Sequence, residues 1–117
     1  MTEGMKTIIY PVKDLARAKA IFGGLLGVAP QVDTPHYVGF GVDGQHVGLD
    51  PNGHASGSTG PIAFWHVDDI RATLKALLDA GAELQQDVRE VGGGRVVATA
   101  KDPDGNVIGL LQDPSSK

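Results

Sequence analysis

The sequence predicts an α+β fold built from two related modules, each with the element order β-α-β-β-β. The segment VKDLARAKAIF at residues 12–22 recurs 55 positions later as VDDIRATLKAL at residues 67–77. A second segment, DGQHVGLD at residues 43–50, recurs 61 positions later as DGNVIGLL at residues 104–111. Each half also carries one amphipathic helix pattern among several strand patterns. Because about 55 residues bury too little apolar surface alone, we expect the two modules to share a core.

Composition restricts the class of protein. The chain has 117 residues, 41% of them hydrophobic and 21% charged, which is typical of one globular domain. Its net charge of −4 argues against a nucleic-acid partner. No run approaches the roughly 20 apolar residues of a membrane span, and the first residues lack a signal-peptide core. The absence of cysteine excludes disulfides and thiolate chemistry. We therefore expect a cytoplasmic protein with no membrane partner.

The predicted boundaries follow from the repeat and from turn-rich composition. The whole chain, residues 1–117, is read as a single domain. Its first module covers about residues 6–52 and its second about residues 61–113. Between them, residues 53–60 contain only small and polar residues and one histidine, which is typical of a linker. The last residues, DPSSK, are expected to fray.

The first module opens with a short apolar strand, Thr7–Val12, followed by Asp14 as the N-cap of a helix over Leu15–Leu26. Gly23 and Gly24 each cost roughly 1 kcal/mol in a helix interior. This helix is therefore expected either to be short or to meet another backbone closely at these glycines. The predicted buried stripe consists of Leu15, Ala18, Phe22, Leu25 and Leu26.

A hairpin follows a short strand at residues 31–34. Its strands cover residues 36–42 and 45–50, and Asp43-Gly44 is the signal for a two-residue turn. That register places five apolar residues on the core face: Val38, Phe40, Val42, Val47 and Leu49. The opposite face then carries Tyr37, Gly39, Gly41, His46, Gly48 and Asp50. Glycines in a strand often mark close approach of a ligand, so this face is expected to be open. A three-residue loop would instead put Val38 and Phe40 on the open face.

The second module repeats the pattern. A strand over residues 61–67 leads to a helix over Ile70–Ala80, capped by Asp68 or Asp69 and ended by Gly81. The helix is expected to bury Ile70, Leu74, Leu77 and Leu78. Alternation places Ala63, Trp65 and Val67 under this helix, and Ile62, Phe64 and His66 on the other face. The remaining strands are predicted at residues 83–87, 95–101 and 106–112. The glycines at 92–94 are read as a flexible hairpin tip or lid, because no Lys-Ser/Thr follows them as in a phosphate loop.

From Thr7 to Gln112 the chain resembles the vicinal oxygen chelate superfamily, which includes glyoxalase I, extradiol dioxygenases and the fosfomycin- and bleomycin-resistance proteins. The most specific segments are VKDLARAKAIFGGLLG, HVDDIRATLKALLDAG and KDPDGNVIGLL. The resemblance implies a curved mixed sheet or open barrel around a cavity, with the helices outside. It also implies a homodimer.

The resemblance assigns the metal-ligand positions of this superfamily to Thr7, Gly48, Ile62 and Gly109. None of the four can hold a divalent ion as the family does, because they offer at most one neutral hydroxyl. We therefore expect no metal and no cofactor. The four histidines, His36, His46, His54 and His66, have no metal-binding spacing either. The bleomycin-resistance branch, which sequesters its ligand without a reaction, is the closest functional analogy.

The sequence therefore predicts a protein that binds a small organic molecule in a metal-free cavity, for sequestration or resistance. The predicted lining is Tyr37, His46, Asp50, Phe64, His66 and Thr99, where Thr99 is assigned by the resemblance. One alternative is a metal-independent lyase or isomerase that uses His66 or Asp50 as general base. Another is a degenerate structural or partner-binding module whose cavity is filled by side chains.

Overall fold

A computed structural model describes residues 2–55, 57 and 59–114. These residues form two helices and eight strands, so the α+β fold class is confirmed. They divide into two compact units: a first unit of residues 6–62, and a second unit of residues 63–114 together with residues 2–5. In chain order the elements are β1 Thr2–Pro11, α1 Leu15–Leu26, β2 Val32–Thr34, β3 Tyr37–Val42, β4 Gln45–Asp50, β5 Ile62–Val67, α2 Ile70–Asp79, β6 Glu83–Gly92, β7 Arg95–Lys101 and β8 Val107–Gln112. Neither helix is long and apolar enough to span a membrane.

The first unit is a mixed sheet in the order β2-β3-β4-β1, packed against α1. Strands β1 and β4 are parallel, and the other neighbours are antiparallel. Helix α1 begins where predicted, because an Asp14 carboxylate oxygen accepts a hydrogen bond from the Arg17 amide at 3.0 Å. It ends at Gly27, whose φ of 71° gives the left-handed turn that terminates many helices.

The predicted register of the β3–β4 hairpin is confirmed. Val42 pairs with Gln45 and Val38 with Leu49. Asp43 and Gly44 have φ of 50° and 78°, the positive values that a two-residue hairpin turn requires. The core of this unit therefore lies on the predicted face, where Val38, Phe40 and Leu49 are buried against Tyr10, Val12, Leu15, Ala18, Phe22, Leu26 and Val47.

Two expectations about α1 are wrong. Leu25 is 75% exposed, because the side chain of the adjacent Leu26 takes the position against the sheet, about 100° around the helix. The helix also runs unbroken through Gly23 and Gly24. A side chain on Gly23 would meet the ring of Phe40 at 3.8 Å, so this glycine faces a side chain and not a backbone.

The second unit repeats the arrangement, with strand order β5-β8-β7-β6 and helix α2 on one face. Asp69 is the N-cap, accepting from the Ala72 amide at 3.1 Å, and Gly81 follows the helix with φ of 113°. The buried core is Val67, Ile70, Leu74, Ala98, Ala100 and Leu110, and Trp65, Leu77 and Leu78 pack against it as predicted. Strands β5 and β8 are parallel, whereas β8–β7 and β7–β6 are antiparallel.

Two strands are longer than the sequence predicted. The prediction stopped early because the extra residues lack an apolar pattern. Strand β1 begins at Thr2 instead of Thr7, and the Thr2 hydroxyl donates to the His66 carbonyl at 3.0 Å. Strand β6 continues to Gly92 instead of ending at Asp87. Its added residues are mostly exposed, and backbone pairing with β7 holds them. The turn that follows uses glycines with positive φ at positions 92–94.

Candidate functional site

The face of the second unit that lies opposite α2 carries three of the predicted ligand contacts. Strand register places Thr99 of β7 beside Gly109 of β8, and Gly109 beside Phe64 of β5. The next row of the same face contains Val97, Leu111 and His66. We call these six residues the helix-free patch. Strand pairing therefore brings Phe64, His66 and Thr99 to one face. Alternation predicted this face for Phe64 and His66, whereas Thr99 was assigned by the resemblance.

Thr99 is the most informative residue of the helix-free patch. The residue is 5% exposed, and its hydroxyl oxygen is buried without a hydrogen-bond partner among the described residues. A hydroxyl without a partner costs about 1–3 kcal/mol when it is buried. Most buried polar groups in folded proteins are bonded, so an exception requires an explanation. The Thr99 hydroxyl is therefore a candidate contact for a ligand or a buried water.

The Phe64 ring lies against Gly109, which is the strand neighbour of Thr99. A side chain on Gly109 would begin 2.7 Å from the Phe64 ring and 2.8 Å from the Ala63 carbonyl oxygen. Phe64 itself is 9% exposed. Gly109 is therefore required so that the aromatic ring can lie against the strand. The ring supplies a flat apolar surface beside a hydrogen-bonding hydroxyl, the combination found in sites for small organic molecules.

His66 lies near a charged pair that the sequence did not reveal. Its Nδ1 atom is 3.4 Å from a carboxylate oxygen of Asp113, and the other oxygen of Asp113 accepts from Arg95 Nε at 3.0 Å. The His66 side chain is 13% exposed, and that of Asp113 is 51% exposed. A carboxylate beside Nδ1 favours a proton on that nitrogen and leaves the basic lone pair on Nε2. Asp113 was missed because it lies in the tail that was expected to fray.

In the first unit, Tyr37 and His46 form a bonded pair. The Tyr37 hydroxyl is 2.8 Å from His46 Nε2, and the two rings stack with centroids 6.2 Å apart at 15°. A side chain on Gly48 would overlap the Tyr37 hydroxyl, and one on Gly39 would lie 2.8 Å from the His46 ring. The glycines therefore make room for this aromatic pair.

The expectation that the glycine face of the first unit is open is wrong. The Tyr37 and His46 rings occupy the space over Gly39 and Gly48, and the carboxamide of Gln31 lies 2.6 Å from where a side chain on Gly41 would begin. Space left by a missing side chain can be filled by protein as readily as by a ligand. The sequence could not distinguish these two outcomes.

Asp50 has a structural function at the end of β4. One of its carboxylate oxygens accepts from the Asn52 amide at 2.8 Å, which closes the turn after the strand. Its backbone carbonyl accepts from the Val12 and Gly53 amides at 3.0 and 3.2 Å. The carboxylate is therefore committed in part to a local turn.

The residues at the predicted metal positions do not fit a metal ion. Thr7 and Ile62 offer one hydroxyl between them, and Gly48 and Gly109 have no side chain. Around each glycine, the space where a ligand side chain would start is taken by an aromatic residue, Tyr37 or Phe64. Divalent ions need several carboxylate or imidazole donors, which these positions lack. In the part of the chain that the structure describes, histidines and carboxylates form no cluster of three suited to a metal.

The comparison with protein families identifies the class. A sequence model of the Glyoxalase/Bleomycin resistance protein/Dioxygenase superfamily matches residues 4–110. The chain therefore belongs to this superfamily, the vicinal oxygen chelate superfamily that its repeats resemble. Among curated protein sequences, none matches the chain.

Solved structures share the fold at low identity. A superfamily member from Vibrio splendidus 12B01 is 18% identical with a TM-score of 0.70, and the match covers 97% of this chain and 99% of that one. Methylmalonyl-CoA epimerase from Mycobacterium tuberculosis is 17% identical with a TM-score of 0.69, covering 97% and 90%. The Mn(II)-bound glyoxalase from Novosphingobium aromaticivorans is 17% identical with a TM-score of 0.73, covering 97% of this chain and 40% of that one. These similarities establish the fold alone.

Proposed function

We propose that this protein binds a small organic molecule at the helix-free patch of its second unit, without a metal ion. The observation that carries the proposal is the buried Thr99 hydroxyl, which has no partner among the described residues. A ligand that bonds to this hydroxyl recovers the free energy that its burial costs, about 1–3 kcal/mol. In the protein without a ligand, no hydrogen bond from the described residues offsets the cost of burying the Thr99 hydroxyl. A ligand that bonds to this hydroxyl would offset it.

The apolar members of the patch define the rest of the ligand. Phe64, Val97 and Leu111 are all buried, and they surround Thr99 and Gly109 on the same face. The Phe64 ring lies against Gly109, the strand neighbour of Thr99, and so provides the aromatic surface closest to that position. A flat, mainly apolar molecule with one hydrogen-bonding group suits these neighbours. We propose that such binding serves to sequester the ligand or to confer resistance to it.

The first unit offers weaker support. Tyr37, His46 and Asp50 remain predicted ligand contacts. However, Tyr37 and His46 already bond to each other, and the Asp50 carboxylate closes a turn. Thr99 is therefore the residue on which the proposal is tested. A cytoplasmic homodimer remains part of the proposal through the superfamily resemblance, and sedimentation velocity of the purified protein tests the dimer.

Titration with benzamide tests the binding proposal, because this probe combines a flat ring with a hydrogen-bonding group. We expect roughly millimolar binding, seen as shifts of the Thr99 and Gly109 amide signals in nuclear magnetic resonance spectra. Thr99→Val should abolish these shifts, whereas Thr99→Ser, which keeps the hydroxyl, should retain them. Wild-type protein whose Thr99 and Gly109 signals do not respond would overturn the proposal and favour a degenerate structural or partner-binding module.

The arrangement of His66, Asp113 and Arg95 favours a second candidate, a metal-independent lyase or isomerase. The Asp113 carboxylate, 3.4 Å from Nδ1, favours a proton on that nitrogen, and Nε2 is then the atom that would act as general base. Asp50 is the weaker choice of base because its carboxylate closes a turn. An enzyme consumes its ligand and loses turnover on His66→Ala, whereas a sequestering protein returns the ligand unchanged.

A further inference from the structure

A lysine on the helix-free side of β7 adds a charge to the region around Thr99. Lys101 follows Thr99 by two residues, so both side chains project from the same face of the strand, roughly 7 Å apart along it. Among the described residues, Lys101 is the only half-buried lysine or arginine without an ion pair or side-chain hydrogen bond. Lys19, by contrast, is half-buried and bonds to Asp33.

Lys101 is half-buried, but its ammonium nitrogen is not among the buried atoms without a partner, so solvent reaches it. Because no carboxylate of the described residues pairs with it, this charge is available to an anion that binds beside Thr99. Across the strands Lys101 faces Glu83 on β6 and Val107 on β8. The Glu83 carboxylate does not come within ion-pairing distance of the ammonium group. One face of β7 thus carries, two residues apart, a buried hydroxyl and a solvent-reached cation, the first without a hydrogen-bond partner and the second without an ion pair among the described residues.

We infer that the ligand of the helix-free patch is an organic anion, whose carboxylate or similar group pairs with Lys101 while the molecule bonds to Thr99. This inference rests on the proposed function and names the class of ligand. A carboxylate can accept from both an ammonium group and a hydroxyl, whereas a neutral carbonyl gains little from the positive charge. Apolar Phe64, Val97 and Leu111 then contact the uncharged part of the anion.

Benzoate and benzamide form a matched pair of probes, since they have nearly the same shape and differ in charge. We expect benzoate to bind wild-type protein several-fold more tightly than benzamide, and to weaken as salt is added. Lys101→Gln should weaken benzoate binding by roughly threefold to fivefold and leave benzamide unchanged. Lys101→Arg should restore benzoate binding. Lys13→Gln, which removes an exposed lysine of the first unit, should have no effect on either probe.

The outcomes separate the two proposals. Equal binding of both probes at Thr99, unaffected by Lys101→Gln, would overturn the anion inference and leave the binding proposal standing. Failure of both probes to shift the Thr99 and Gly109 signals would overturn the binding proposal itself. Benzoate binding that weakens equally in Lys101→Gln and Lys13→Gln would reflect net charge, and would also contradict the assignment to Lys101.

Discussion

The Tyr37 hydroxyl lies 2.8 Å from Nε2 of His46, and the paired rings cover the backbone of Gly39 and Gly48. This pair exists because two strand positions have no side chain. The resemblance assigns one of them, Gly48, to a metal ligand of the superfamily. In this chain, an aromatic hydroxyl occupies the space where that ligand would begin. Glycine at position 48 provides no metal-ligating side chain, and it leaves the space that the Tyr37–His46 pair fills.

Gly48→Ala should lower the free energy of unfolding by about 1–3 kcal/mol, because the new methyl group overlaps the Tyr37 hydroxyl and crowds the Ile9 side chain. Urea denaturation measures the change. Gly24→Ala is the matched control: this glycine lies in α1 with nothing within 4 Å of an added methyl group. The control should raise the free energy of unfolding by about 0.5–1 kcal/mol. Equal effects at both sites would contradict the packing described around Gly48.

Thr99→Val should raise the free energy of unfolding of the unliganded protein by about 1 kcal/mol, because it replaces a buried hydroxyl that has no partner with a methyl group. Thr99→Ser should lower it by about 1 kcal/mol, because a buried methyl group is lost and the hydroxyl stays. Thermal or urea denaturation measures both. Destabilisation by valine would mean that the hydroxyl forms a hydrogen bond in the folded protein.

The His66 ring should carry its proton on Nδ1 when neutral, because the Asp113 carboxylate lies 3.4 Å from that nitrogen. Nitrogen-15 chemical shifts of the imidazole distinguish the two tautomers. Asp113→Ala should increase the share of the form protonated on Nε2. Asp79→Ala removes the same charge from α2 and should leave the His66 spectrum unchanged. A wild-type ring protonated on Nε2 would count against His66 as the general base.

Asp102 should make stability depend on pH in the acidic range. The Asn106 carboxamide and the amides of Asn106, Asp104 and Gly105 lower the pKa of its carboxyl group, because they bond to this residue and favour the ionised form. Since the pKa is lower in the folded than in the unfolded chain, this stabilisation is present above about pH 4. It is lost as the pH falls through the folded value.

Denaturation at pH 6 and pH 3 tests this expectation. Asp102→Asn should show a smaller loss of stability between the two pH values than the wild type does. Asp104→Asn changes a carboxylate of the same turn that accepts none of these hydrogen bonds, so it should behave like the wild type. The same loss in all three proteins would exclude Asp102 as a source of the pH dependence.

Local signals predicted most of the fold. Asp14 and Asp69 are the helix N-caps, and Asp43-Gly44 fixed the hairpin register because its turn allows one pairing. The errors in strand length occurred where strand residues lack an apolar pattern. The first residues of β1 and the last of β6 are largely exposed. The Thr2 hydroxyl bonds to the His66 carbonyl, and the end of β6 pairs with β7. Propensity alone does not reveal such partners.

The sequence predicted which strand face the site residues occupy, but it did not predict which side chains contact one another. Alternation put Phe64 and His66 on the helix-free face, and the structure agrees. Nothing in the sequence indicated that Asp113 approaches His66, because the two are far apart along the chain and Asp113 follows the last strand. Similarly, the glycines of β3 and β4 could not indicate whether Tyr37 or a ligand would fill the space above them.

The contact between Gly109 and Phe64 restricts the order in which this protein could acquire mutations. A carboxylate introduced at position 109 would collide with the Phe64 ring and approach the Ala63 carbonyl. Residue 64 would therefore have to become smaller first, which by itself leaves a cavity costing about 3–5 kcal/mol for a phenylalanine replaced by alanine. Each single step is unfavourable, so a metal ligand at position 109 requires at least two coordinated substitutions. Selection acting on one substitution at a time would therefore tend to keep glycine here.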